Sequence, residues 1–338
     1  MRRAAVIGVD LGGTKVAAAA LRHGTLGESA TRATERGSPA ALVAQLVELV
    51  EEVRAGGELD AVGVGVPSVV EFHTGRVVSS VNVPLADLPL RQVLGDELGV
   101  PVFVDNDATV AALAEAHDER LGLVARNLVM LTVGTGVGGG LVLGGRIYRG
   151  STGGAGEVGH TLVALDVEDG VPAATRFPQP GSLEALAAGH ALDHLAQRAA
   201  ADAPGSELGR LAAEGRTVLG ADAVRAARDG DPVAVRTVER WAERVGIGVA
   251  NAINTFDPDE VVIGGGAAAA GELLLEPARR VAAEYVLPGL GARTRVRLAR
   301  HGVRAGVLGA ALLAVHELED AAAPAAALVP PTGEEAVG

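Results

Sequence analysis

The chain has no cysteine, which excludes disulfides, thiolate nucleophiles and cysteine-ligated zinc. Aromatic residues make up only 2% of its 338 residues, so its cores must be built from Ala, Val and Leu. It also has almost no lysine: one, Lys15, against 28 arginines. No run approaches the roughly 20 apolar residues of a membrane helix. Asp10 and Lys15 interrupt the first apolar stretch before it resembles a signal sequence. With a net charge of −13, neither nucleic acid nor an anionic membrane is an expected partner, and an anionic substrate must be met by a local site. These absences fit a cytoplasmic protein. The apolar content, 48%, is ample for buried cores, and the length exceeds a usual single core, so two domains are expected.

The lone lysine lies in Val9-Asp10-Leu11-Gly12-Gly13-Thr14-Lys15. A Gly-Gly turn lets backbone N–H groups approach a phosphate, and a compact ammonium serves there as a point charge. Ala4–Val9 reads as a buried strand and Val16–Leu21 as a second one. The arrangement recurs: Leu128–Val133 is a strand, Gly134-Thr135-Gly136-Val137-Gly138-Gly139-Gly140 a glycine run, and Leu141–Leu143 another strand. The Walker pattern is absent, and a strand follows Gly134 where a dinucleotide fold would need a helix. Two strand–turn–strand loops suit backbone amides on both sides of a polyphosphate; two ordinary hairpin turns are the alternative. A third loop, Gly264-Gly265-Gly266, follows the strand Glu260–Ile263 and would admit a flat ring such as adenine.

Asp105-Asn106-Asp107 follows the short strand Pro101–Val104 and opens a helix expected to run to about His117. One of the three suffices as a helix cap. A carboxylate at the C-terminal end of a strand is also well placed to take a proton from a hydroxyl, and Asp107 is the candidate base. In Gly153-Gly154-Ala155-Gly156-Glu157-Val158-Gly159-His160, Glu157 and His160 share a face if the turn is helical, which suits vicinal sugar hydroxyls. Glu184, near the start of a helix over 182–200, is a further polar group there or a first-turn acid favoured by the helix dipole. Strands alternate with helices in both halves, which indicates an α/β protein. The remaining expected helices are 39–54, 90–98, 221–228, 232–255, 272–284 and 307–318. Thr161–Pro180 reads as irregular.

In order, these segments resemble the ROK family of bacterial sugar kinases and sugar-responsive repressors. Asp10–Lys15 resembles its first phosphate motif and Leu131–Gly140 its second. Asn106-Asp107-Ala108 with Ala111–Glu115 resembles its catalytic segment, Gly156–His160 and Leu183-Glu184 its sugar-binding pieces, and Gly264–Gly266 its adenosine loop. The resemblance implies an actin-like, hexokinase-type fold of two duplicated, ribonuclease H-like α/β domains. The expected division is 1–118 (completed by a C-terminal helix, 305–318), 119–304, and a disordered tail, 319–338. It further implies ATP- and Mg²⁺-dependent phosphoryl transfer to an alcohol, usually C6 of a hexose, with glucose the default substrate, in a homodimer or homotetramer. Asp107 would be the base; Asn82, Asn106, Asp107, Glu157, His160 and Glu184 would hold the sugar. Asp10 would sit near the magnesium. Gly12, Gly13, Thr14, Lys15, Gly134, Thr135, Gly136 and Gly264–Gly266 would hold the nucleotide. Family repressors carry an N-terminal DNA-binding segment, for which a strand starting at residue 4 leaves no room. This favours an enzyme over a non-catalytic sugar-binding regulator.

The chain departs from the family pattern twice. The family's cysteine-rich zinc loop has no counterpart in Thr161–Pro180, where Ser182 stands in place of the last thiol, so no structural zinc is expected. A Gly-x-Pro-Gly turn reads Gly65-Val66-Pro67-Ser68, which adds a side chain beside the expected sugar pocket. Together the two departures make an amino-sugar or a C7-cyclitol of a biosynthetic pathway the alternative substrate.

Overall fold

The computed structural model of the chain describes residues 4–80, 82–168, 170–174 and 176–322. Its first half runs β1 (Val6–Leu11), β2 (Lys15–Arg22), β3 (Thr25–Leu26), β4 (Ala30–Ala33), α1 (Pro39–Arg54), β5 (Ala61–Val66), β6 (Ser68–Glu71), β7 (Arg76–Ser80), α2 (Leu90–Leu98), β8 (Val102–Asn106) and α3 (Asp107–Glu115). The second runs β9 (Leu128–Val133), β10 (Val137–Leu143), β11 (Arg146–Ile147), α4 (Leu183–Ala187), α5 (Gly189–Asp202), α6 (Glu207–Ala213), α7 (Gly220–Arg228), α8 (Pro232–Phe256), β12 (Glu260–Gly264), α9 (Glu272–Tyr285), β13 (Arg295–Leu298) and α10 (Ala305–Ala322).

The two main sheets repeat one plan. In the first, β2-β1-β5-β8 lie side by side, β2 antiparallel to β1 and the others parallel; β3 and β4 pair with the outer edge of β2. In the second, β10-β9-β12-β13 have the same order and the same directions, with β11 outside β10. Each glycine loop is therefore the hairpin turn of an equivalent strand pair, so the internal repeat extends to topology.

Local chemistry sets the helix ends. Ser38 Oγ accepts the Ala41 N–H at the start of α1, where Pro39 occupies the first turn, and Asp231 caps α8 ahead of Pro232. Glycines set the close approaches. A Cβ on Gly63 would lie 1.8 Å from Ala310 O, so α10 rests its backbone directly on β5. α10 packs over β1 and β5 and also against α3, which in turn leans on β10. Buried Val110, Leu113, Met130, Leu308 and Leu312 belong to one apolar cluster there. The helix that opens with Asp107 is thereby gripped between the two sheets.

Several boundaries differ from expectation. α3 stops at Glu115, and the segment expected as one helix over 182–200 breaks at Ala188 into α4 and α5. The hairpin β6–β7, the strand β4 and the helix α6 had no distinct sequence signal. Residues 319–322, expected in a disordered tail, are the last turn of α10, where Asp320 pairs with Arg146. The rest of that tail lies outside the described residues. The irregular Thr161–Pro180 excursion is closed at its neck by backbone bonds: Val163 N–H to Gly181 O (2.8 Å) and Leu183 N–H to Thr161 O (2.9 Å). Ser182 is fully buried and caps α4, its Oγ accepting the Ala185 N–H at 3.2 Å.

Candidate active site

Strand register brings the candidate residues to one edge. Asp10 on β1 lies level with Gly65 on β5, and Gly65 with Asp105 on β8, at the C-terminal ends of three parallel strands. In open α/β sheets, ligands bind outside that end. The first loop turns there: Gly12 N–H donates to Lys15 O (2.9 Å), Thr34 Oγ1 donates to Gly12 O (2.7 Å), and Thr34 N–H donates to Thr14 O (3.0 Å). Thr14 and Lys15 are exposed, and Asn82 sits against Gly13.

The three residues after β8 have different jobs. Asp105 is buried and accepts Arg149 Nε at 2.7 Å; Arg149 also pairs with Glu317 of α10 and stacks over Phe72. Asn106 is the helix cap, its Oδ1 accepting the Ala108 and Thr109 N–H groups while Nδ2 donates to Ser68 O. Asp107 is held in place by the Ala108 N–H, 2.8 Å from its Oδ1. Burial pushes its carboxyl up to about 6; the Ala108 hydrogen bond opposes this, and the negative charges of Asp10 and Glu157 add to it. Asp10 and Glu157 therefore lie within electrostatic reach of Asp107, although the three come from separate segments.

Asp10 is itself pushed up by burial, with Lys15 drawing it back. Its carboxylate fits only because residue 306, in the first turn of α10, is glycine: a Cβ there would lie 2.3 Å from Asp10 Cγ. Glu157 precedes a single 3₁₀ turn, Val158–His160, which sets its Oε2 3.7 Å from His160 Nε2. Both side chains remain open to solvent, at 53% and 36% exposure, and His160 meets Phe177 edge-on.

The second loop mirrors the first. Gly134 N–H donates to Gly136 O (2.9 Å), and Gly189 N–H, at the start of α5, donates to Gly134 O (2.7 Å). Gly265 follows β12 in the left-handed region, at φ 77°, where a Cβ would lie 2.4 Å from Val133 O. Thr135, Gly265 and Gly266 are exposed along the same strand ends.

This arrangement is matched by known proteins. The family model described as "ROK family" covers residues 6–317. The chain belongs to the ROK family. It is 34% identical over 312 residues to a glucokinase of Halalkalibacterium halodurans, covering 90% of this chain and 92% of that protein. A ROK family glucokinase from Streptomyces griseus, solved in complex with glucose and AMPPNP, superposes with a TM-score of 0.74 at 31% identity, covering 92% of this chain and 99% of that one. A ROK hexokinase from Thermus thermophilus does so at 0.74 and 38% identity, covering 94% and 99%. The fold is thus the actin-like, hexokinase-type fold of this family.

Against this ROK framework, two predicted sugar contacts have protein partners of their own. Glu184 directs Oε2 at the second loop, accepting the Val137 N–H at 2.8 Å, and a Cβ on Gly136 would collide with it. Asn106 is engaged in capping. Sequence reasoning missed Gly306, Thr34 and Arg149, because each acts on a residue at least 20 positions away. No group of three or more His, Cys, Asp or Glu side chains among the described residues is placed to hold a metal ion unaided. No helix among them is long and apolar enough to cross a membrane.

Proposed function

We propose that this ROK-family chain is an ATP-dependent hexose kinase transferring the γ-phosphoryl group to a sugar hydroxyl, with C6 of glucose as the default acceptor. The observation that carries the reading is Asp107: a carboxyl pushed up to about 6, fixed at the end of β8 where α3 begins and packs against both main sheets. At pH 7 such a group is about 90% ionised yet more basic than an ordinary aspartate, which suits a general base. It takes the hydroxyl proton as the sugar oxygen bonds to the γ-phosphorus and the bond to the β-phosphate oxygen breaks, giving sugar phosphate and ADP. Positioning and charge neutralisation supply most of such catalysis. The loops Gly12–Lys15 and Gly134–Gly136 offer backbone N–H groups, and Lys15 adds a point charge. Gly264–Gly266 accommodates the adenosine.

The residues fit a magnesium ion of the kind kinases use, bound through one or two carboxylates, substrate phosphates and water. Asp10 supplies a partly buried carboxylate with no hydrogen bond to the protein among the described residues. The ion would neutralise charge on the phosphates. Glu157 and His160 bind vicinal hydroxyls, and Asn82 and Glu184 border the two phosphate loops. Asn106 sets the direction of Asp107.

A second reading, a kinase for an amino-sugar or cyclitol, is favoured by Ser68, whose carbonyl holds Asn106 and whose hydroxyl is buried. A coupled ADP-release screen over hexoses, amino-sugars and cyclitols tests both. Turnover is expected with at least one; ATP binding without turnover on any polyol would instead indicate a sugar-binding regulator.

A further inference from the structure

The net charge is −13, yet one groove reverses that balance. α5 and α8 pack together, and a cavity of about 250 Å³ along them is lined by Arg198, Arg236 and Arg240, with Thr237 and a single acid, Asp202. On α8, Arg236, Arg240 and Arg244 follow at four-residue spacing, a like-charge pattern that destabilises a helix. The Arg244 guanidinium is made less basic by burial and by the charges of Arg240 and Arg198, which places the three close together.

Apart from Asp202 in the groove itself, the acids nearest along α8 are turned elsewhere. Glu239 and Glu243 of the same helix both accept Arg280 of α9, at 2.7 and 3.1 Å. Asp231 answers Arg236 and caps α8. Arg198 and Arg240 have neither an ion pair nor a hydrogen bond among the described residues. Two unpaired guanidinium groups line one groove, carried by helices that pack together.

We propose that this groove binds a phosphate group, as inorganic phosphate or as a phosphomonoester, at a site separate from the nucleotide and sugar. Guanidinium forks engage phosphate oxygens in pairs, and a dianion matches two unpaired arginines where a monocarboxylate leaves a surplus. The separation follows from helix geometry. α5 begins at Gly189, which holds Gly134 O, and Arg198 lies about 13 Å further along the axis. Arg244, one turn further along α8 from Arg240, donates Nη1 to Leu186 O of α4 at 3.1 Å. The proposal does not depend on the reaction assigned above.

Calorimetric titration of the full chain, with glucose and AMPPNP saturating, tests it in two arms: inorganic phosphate and a hexose 6-phosphate. At least one arm is expected to bind, and the Arg198→Ala/Arg240→Ala variant to bind it about tenfold or more weakly. Binding in both arms identifies the phosphate group alone as the ligand; binding of the ester alone identifies a phosphomonoester. Lys15→Ala, which alters the first glycine loop, should keep the affinity. These arginines are exposed, so an unchanged melting temperature in ligand-free buffer verifies folding of the double variant. Equal affinity in the double variant, loss in Lys15→Ala instead, or no binding in either arm up to about 10 mM overturns the proposal.

Discussion

Replacing Asp107 with Asn should make the protein slower and more stable together. The carboxyl rises from its ordinary 3.8 to about 6, with burial the leading cause and Asp10 and Glu157 contributing. That displacement is equivalent to up to about 3 kcal/mol of disfavoured charge in the folded state. The sign follows from linkage. An acid whose folded pKa is raised weakens the fold above pH 6, and the penalty is relieved as pH falls from 6 towards 3.8. Asn is nearly isosteric, keeps an oxygen for the Ala108 N–H and removes the charge. We expect a gain of roughly 1–3 kcal/mol in unfolding free energy at pH 7.5, vanishing near pH 4. The same change should lower kcat about 10²-fold or more while sugar affinity persists. In the unmodified enzyme, the ionised fraction of a group at pKa 6 drops about tenfold between pH 7 and pH 5, and kcat/KM should fall with it. Denaturant melts at the two pH values and an ADP-release assay with saturating magnesium measure all three. A variant that loses stability at pH 7.5, or retains near-normal turnover, would falsify the assignment of Asp107 as a charged, strained base.

Gly306→Ala should push Asp10 aside, because the added Cβ would lie 2.3 Å from its Cγ; we expect a higher magnesium requirement in the kinase assay with the melting temperature little changed. Gly63→Ala should instead unfold the protein or lower its melting temperature sharply, since its Cβ would lie 1.8 Å from Ala310 O and neither backbone can yield without parting α10 from β5. Elemental analysis of the purified protein should find no stoichiometric zinc, because Thr161–Pro180 has no thiol and its neck is closed by backbone hydrogen bonds. A stoichiometric zinc reading would show that His160 and the excursion had been misunderstood.

Some features were legible because their chemistry is local. Gly-Gly beside the only lysine dictates an open turn, one of Asp105, Asn106 and Asp107 must cap the helix that follows, and the three-residue spacing of Glu157 and His160 needs one helical turn to align them. Alternating strand and helix patterns sufficed for an α/β fold, and the family motifs, in order, sufficed for its type. Other features depend on partners far apart in the chain. Nothing near Glu184 shows that its carboxylate holds the Val137 N–H, 47 positions away. Asp105 and Asp107 are almost interchangeable in sequence, and burial pushes both carboxyls up, yet Arg149 pairs with the first while the second has no ion pair among the described residues.

By itself, then, the amino-acid order determined which residue types could meet a polyphosphate and a hydroxyl, since turn conformation and capping depend on neighbours within a few positions. Tertiary structure alone decided which carboxylate is paired with an arginine and which is left within reach of the charges of Asp10 and Glu157. A pKa follows from burial and nearby charge, and both arise where β1, α3, α10 and the Glu157 turn converge.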